Sequence, residues 1–260
     1  MRAVSKLQLP ELPRWEEKFP LDVLQKKASG REIGGSAMWH QGFRMQVMKP
    51  GDRKFPSFEA CWQPALVLTD VIRRAWPTYV GVDLSSANRP GNFITAVAVN
   101  PLTGLRVPVV ARNGNWTSPE TAEVLSDVCA TVANLQYVMV ENNAYQESLI
   151  EWVRKGKSAF PWWPKIEAHT TGRNKADPQF GLPGIEVEFA NRAWAFASGE
   201  WEGHGTGHDC AWCVLEREIR LYPKYSTSDG LMSMWFAKAA IDRFYRPPQS
   251  KSARRDHNVR

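Results

Sequence analysis

The stretch that most limits how this chain can fold covers residues 79–99. It reads Tyr-Val-Gly-Val-Asp-Leu-Ser-Ser-Ala, breaks at Asn-Arg-Pro-Gly-Asn, and continues Phe-Ile-Thr-Ala-Val-Ala-Val. Tyr79, Val80 and Val82 are β-formers, and the apolar run after the break suits a buried strand. The pattern predicts two strands joined by a turn, with Asp83 closing the first. An acid where a core strand leaves its sheet costs solvation unless it meets a cation or a donor. Two readings stay open at this point: Asp83 caps the turn through its own backbone, or it is a functional carboxylate.

The chain has 260 residues, long enough for one large domain with a real core. Its apolar fraction of 43% and charged fraction of 23% are those of an ordinary globular protein. A net charge of +6 favours polyanionic partners, nucleic acid first. No run of about 18 apolar residues exists, so no membrane helix is expected, and the N-terminus lacks the hydrophobic region of a secretory signal. The expected compartment is a cytoplasm. Cys129 falls in a helical pattern and Cys210 and Cys213 are close together, which does not describe a secreted disulfide framework.

Residues 1–76 are rich in Pro, Lys, Arg and Trp and read as an N-terminal arm or linker, with short helix signals at 21–27 and 36–47. Residues 77–246 read as one domain. Within it, 105–111 is β-rich, and Thr117-Ser118-Pro119-Glu120 opens a helix carrying Val124, Leu125, Val128 and Val132 at helical spacing. Val138-Met139-Val140 is a fourth strand closed by Glu141. Residues 145–154 form a helix, and 163–168 a fifth strand. Residues 170–178 are a polar loop, and the glycines in 183–209 suggest a hairpin or loop. Residues 213–220 form a short helix and 228–245 a closing one. Three strands able to pair as a meander, then helix, strand, helix, strand, make a mixed α/β plan. The basic tail at 247–260, with Lys251, Arg254, Arg255 and Arg260, is expected to be disordered and to touch nucleic acid.

Three acids fall at three element ends: Asp83, Glu141 and Asp229. If strands one and four are neighbours, their C-terminal ends bring two carboxylates within reach of one point, and the start of the last helix can supply the third. Converging carboxylates repel, and hard divalent metals are the usual remedy. Two Mg²⁺ or Mn²⁺ about 4 Å apart suit phosphodiester hydrolysis. Each acid also has a plainer reading, since Asp229 is a favourable helix-start residue and Glu141 can cap the following helix. Separately, His204, His208, Cys210 and Cys213 form His-x-x-x-His-x-Cys-x-x-Cys, whose residue types fit a structural tetrahedral Zn²⁺ in a Gly-rich loop that otherwise need bind nothing.

The motifs resemble the nuclease domain of tailed-phage terminase large subunits, which has a ribonuclease H-like, retroviral-integrase-type fold. The matching pieces are Gly81-Val82-Asp83-Leu84-Ser85, Val140-Glu141-Asn142-Asn143-Ala144-Tyr145, Thr171-Gly172-Arg173-Asn174-Lys175 with Asp177-Pro178, and Tyr222-Pro223 leading into Ser228-Asp229-Gly230-Leu231-Met232. The resemblance covers about residues 79–245. It implies a ribonuclease H-like mixed sheet of about five strands flanked by helices. It also implies that Asp83, Glu141 and Asp229 ligate two catalytic Mg²⁺ or Mn²⁺, that Lys175 joins them as a catalytic residue contacting phosphate or a metal-bound water, and that Arg173 and Lys175 bind DNA. Family members often pair acids at the last motif, whereas Ser228 stands in the first of those places here.

No Gly-x-x-x-x-Gly-Lys-Ser/Thr loop is present, so no ATPase activity is expected; the chain reads either as the nuclease half of a split or truncated gene or as a nuclease from which the ATPase was removed. The function implied is metal-dependent DNA endonuclease activity on concatemeric phage DNA during genome packaging, in the cytoplasm of an infected bacterium. The implied partners are double-stranded DNA, a separate packaging ATPase, small terminase and portal. The alternatives are a structure-selective nuclease of the Holliday-junction resolvase type and a non-catalytic DNA-binding module of the same fold.

Overall fold

The computed structural model describes residues 53–84, 91–141, 144–156, 159–169, 181–197 and 210–247. The helix signals at 21–27 and 36–47, the 170–178 loop with Arg173 and Lys175, and His204, His208 and the basic tail lie outside the described residues. Residues 54–260 make one compact unit and residues 1–53 another.

Five strands form one sheet: β1 (Thr78–Asp83), β2 (Asn92–Val99), β3 (Arg106–Gly114), β4 (Leu135–Glu141) and β5 (Ile166–His169), in the order β3-β2-β1-β4-β5. β1, β2 and β3 are an antiparallel meander, while β4 lies parallel to β1 and β5 parallel to β4. This is the ribonuclease H-like mixed sheet that the motifs implied. Among the described residues, six α-helices accompany it: α1 (Leu68–Arg73), α2 (Ser118–Thr131), α3 (Ala144–Lys155), α4 (Leu182–Ala190), α5 (Ala211–Leu221) and α6 (Asp229–Phe244).

β1 is buried along its whole length, so its residues read as a continuous apolar run. Alternation divides them between two cores. Val80 and Val82 face a cluster with Leu125, Val128, Leu149 and Val153 of α2 and α3. Tyr79 faces the other cluster, with Trp235, Phe236 and Ile241 of α6 and Leu215 and Ile219 of α5. Gly81 shares the Tyr79 face, and there α6 comes closest: a Cβ at residue 81 would lie 1.9 Å from the Ser233 carbonyl oxygen and 2.4 Å from the Ala237 nitrogen. Only glycine permits that contact. α6 is buried nearly all round rather than along the single stripe its sequence suggested, since Gly230 to Lys238 are all buried. α2 begins as predicted, with Thr117 and Glu120 closing a reciprocal capping box and Pro119 in the first turn.

Two differences from the sequence reading follow from packing. Residues 54–76, expected as part of the arm, belong to the compact unit: a short 3₁₀ turn, Pro56–Cys61, inserts Phe58 and Cys61 into the α6-side core, and Leu68 and Val71 of α1 enter the other. Their apolar residues reach the core singly, which leaves no periodicity to read. Within 183–209, expected as hairpin or loop, residues 182–190 are helical, with Leu182, Ile185 and Phe189 buried. No helix among the described residues is long and apolar enough to cross a membrane.

Candidate active site

Asp83 and Glu141 are placed by strand register. The parallel pairing of β1 with β4 runs to Val82 opposite Val140, so the two acids are the next residues on adjacent strands, about 4.8 Å apart as backbones. Alternation puts Asp83 on the face of Tyr79 and Gly81, and Glu141 on that of Met139, so both face the α6 side of the sheet. Asp83 is 8% exposed; Glu141 is half-buried.

Asp229 is the first residue of α6. From the helix's contact with Gly81, residue 229 lies about 6 Å back along the axis, toward the end of the sheet where β1 finishes. Two contacts fix it there. Phe93, the register partner of Asp83, packs so tightly on Gly230 that a Cβ at 230 would lie 2.9 Å from its ring. At the start of β2, Gly91 has φ +142°, and a Cβ there would lie 2.9 Å from Asp229 Oδ2. The three acids chosen from the sequence thus gather at one end of the sheet, on one face. Among the described residues, no three His, Cys, Asp or Glu side chains close into a ready-made metal cage.

Beside Asp229 opens a cavity of about 380 Å³, lined by Asp229, Glu218, Asn113, Asn115, Tyr225 and Thr227 among others. Glu218, from α5, is 1% exposed. Burial pushes its carboxyl up from the usual 4.5 to about 6, against hydrogen bonds from Thr227 and from the α6 backbone, and the nearby Asp229 carboxylate adds to the rise.

Solved structures similar to this chain include viral nucleases. The chain is similar to the large terminase nuclease of thermophilic phage G20c with bound magnesium at 10% identity, covering 72% of this chain and 96% of that one, with a TM-score of 0.47. It is similar to the human cytomegalovirus terminase nuclease domain at 12% identity over 64% of this chain and 84% of that one, TM-score 0.46. The fowlpox virus Holliday junction resolvase matches at 12% identity over 64% and 97%, TM-score 0.39. The structural likeness is to viral nucleases. No protein-family model matches the chain, and no curated protein matches it in sequence. Similarity this loose transfers no residue role.

Two residues of this site escaped the sequence reading. His169 ends β5, one residue past the predicted strand, and is the register partner of Glu141. Its ring stands edge-on to Trp235 and Phe236 at 5.3 and 5.9 Å, and its Nε2 is buried with no hydrogen-bond partner. Burial, then Arg243, lowers its pKa, opposed by Glu141. Glu218 had a usable signal: it shares a helical face with Ala211, Leu215 and Tyr222, so its periodicity marked a buried acid. For the expected zinc set, Cys210 precedes α5, and Cys213 lies in its first turn with a thiol pushed up to about 11, first by burial and then by a hydrogen bond with Cys210. The two cysteines are brought together without a disulfide between them, and the two histidines lie outside the described residues.

Proposed function

We propose that this chain is a metal-dependent DNA endonuclease that cuts concatemeric phage DNA during genome packaging, with little sequence preference of its own. The observation that carries the proposal is the placement of Asp83 and Glu141 at neighbouring parallel strand ends, on the face where α6 brings its first residue, Asp229. The donor chemistry fits a hard divalent cation: the three side chains offer carboxylate oxygens, the ligand type that Mg²⁺ and Mn²⁺ take. His169 Nε2, a buried nitrogen beside Glu141 with no hydrogen-bond partner, adds a lone-pair donor at the same edge.

In this reading Asp83 and Glu141 would hold the metals from the rigid sheet, and Asp229 would hold them from α6. Two Mg²⁺ or Mn²⁺ would supply an activated water and charge stabilisation at the leaving oxygen. The protein's own contribution is to keep the carboxylates on one face, and the Gly81 contact with α6 holds the spacing between sheet and helix. Arg173 and Lys175, which come after β5 in the sequence, would contact the DNA backbone as phosphate partners. Double-stranded DNA is the substrate. A packaging ATPase, small terminase and portal are the partners, in the host cytoplasm.

The test is plasmid cutting in Mg²⁺, Mn²⁺ and chelator, with Asp83→Ala beside the wild type. Loss of a metal-holding group worth several kcal/mol lowers the rate by about 10³-fold, with circular dichroism unchanged. Undiminished cutting by the variant overturns the proposal. Four-way junctions cleaved well ahead of linear and supercoiled DNA would move the substrate to branched DNA.

A further inference from the structure

The first turn of α6 carries Asp229, yet Ser228, in the N-cap position, makes no side-chain capping bond. The N–H groups at a helix start need acceptors, and here the acceptor comes from another helix. The Leu231 N–H donates to Glu218 Oε2 at 2.9 Å, the Gly230 N–H bonds to the same carboxylate, and the Thr227 hydroxyl donates to Oε1 at 2.6 Å. Glu218 therefore holds the chain on both sides of Asp229, at residue 227 before it and at 230 and 231 after it. The fit is close: a Cβ at residue 230 would lie 2.9 Å from Glu218 Oε2.

We propose that Glu218 is a positioning residue for the metal site: it caps α6 from α5 and so aims the Asp229 carboxylate at the end of the sheet where Asp83 and Glu141 stand. The inference rests on the nuclease reading. A carboxylate is the side chain suited to this place, because its two oxygens accept from three donors and it carries no donor of its own. An amide turns an NH₂ toward at least one of those donors. A cap needed for stability alone is served by a local Ser, Thr, Asp or Asn at modest gain. A buried acid beside another acid is a costly substitute for one, and its added negative charge strengthens the pull of Asp229 on a cation.

The experiment is a calorimetric Mn²⁺ titration of the full chain as wild type and Glu218→Gln, followed by cutting rates across Mn²⁺ concentration. Removing a group that orients a metal ligand typically weakens metal binding about 10–100-fold. The expected result is that weakening, with the activating Mn²⁺ concentration shifted by the same factor and the rate at saturating metal largely retained. Thr117→Ala, which opens the capping box of α2 on the opposite face of the sheet, is the control: it lowers stability and leaves Mn²⁺ affinity unchanged. If Glu218→Gln does not fold, Thr227→Val removes one donor from the same carboxylate, and a several-fold weaker Mn²⁺ affinity is expected. Mn²⁺ affinity within twofold of wild type in the folded variant overturns the inference and leaves the nuclease reading standing. A wild type that neither binds Mn²⁺ nor cuts overturns both.

Discussion

In the second half of α6, Lys238 is 2% exposed and bonds Asp242 at 2.6 Å and Glu188 at 3.3 Å, while Arg106 reaches the same two acids at 2.8 and 2.5 Å. The Trp194 indole N–H donates to Glu188 at 2.6 Å, so two cations and two anions form one closed group that ties β3, α4 and α6 together. At the first residue of the same helix the pattern reverses: Asp229 lies close to Glu218, and Asp83 and Glu141 end the neighbouring strands. Both ends are largely buried, so burial alone does not separate them. The difference lies in the neighbours that each acid is given. Where two cations bridge two acids, the cluster pins the helix to the sheet. Where acids are brought close to other acids, their repulsion opposes folding, and under the proposed nuclease reading divalent cations would offset it.

The sharpest way to break this comparison is Lys238→Met. It leaves Glu188 and Asp242 with Arg106 as their cation in this group and the Trp194 N–H on Glu188, and removing one partner of a buried group costs about 4 kcal/mol. Urea unfolding should show that loss, while Mn²⁺ affinity and the cutting rate per folded molecule stay at wild-type values. A fall in Mn²⁺ affinity would mean that the two ends of α6 are not separate in function.

Gly81→Ala tests what joins the two ends. The added methyl would lie against backbone atoms of Ser233 and Ala237, which cannot swing aside as a side chain would. Overpacking of this kind costs about 3 kcal/mol. Because Asp83 is two residues further along the same face, a shifted α6 also changes the spacing between Asp83 and Asp229. The expected outcome is a lower midpoint in denaturant together with weaker Mn²⁺ binding, the combination that Lys238→Met does not produce.

What the sequence disclosed, and what it hid, divides along the same line. The positions of Asp83, Glu141 and Asp229 at element ends were legible because local punctuation marks each end: a turn after β1, the close of a short apolar run, and a helix start. The meander followed from strand content and order, whereas the pairing of β1 with β4 entered the sequence reading only as a condition. The closed group of Arg106, Glu188, Lys238 and Asp242 was not legible, because its members come from three elements far apart in sequence and only folding brings them together. α4 was hidden by its Leu-Pro-Gly opening and short length, which read as loop. Glu218 was visible as an acid on an apolar helix face, but its task depends on Thr227, Gly230 and Leu231 across a turn.

The smallest expected effect isolates the acid-gathering end. In chelator, Glu218 has a carboxyl near 6 in the folded protein against the usual 4.5. A raised carboxyl pKa means that the folded state holds the proton more tightly than the unfolded chain. Below about 4.5 both states are protonated at this group and nothing is lost. As pH rises toward 6 the unfolded chain ionises first, so stability falls through that window, by about 2 kcal/mol in all, and the loss is complete above 6. Other groups titrate in the same range, so the quantity to measure is the difference between wild type and Glu218→Gln in urea unfolding, taken from pH 4 to 7. The wild type should lose about 2 kcal/mol relative to the variant across that interval, steepest between 4.5 and 6. Parallel curves would mean that Glu218 is not held as a buried acid beside Asp229, and the contrast between the two ends of α6 would reduce to a difference in ion-pair number alone.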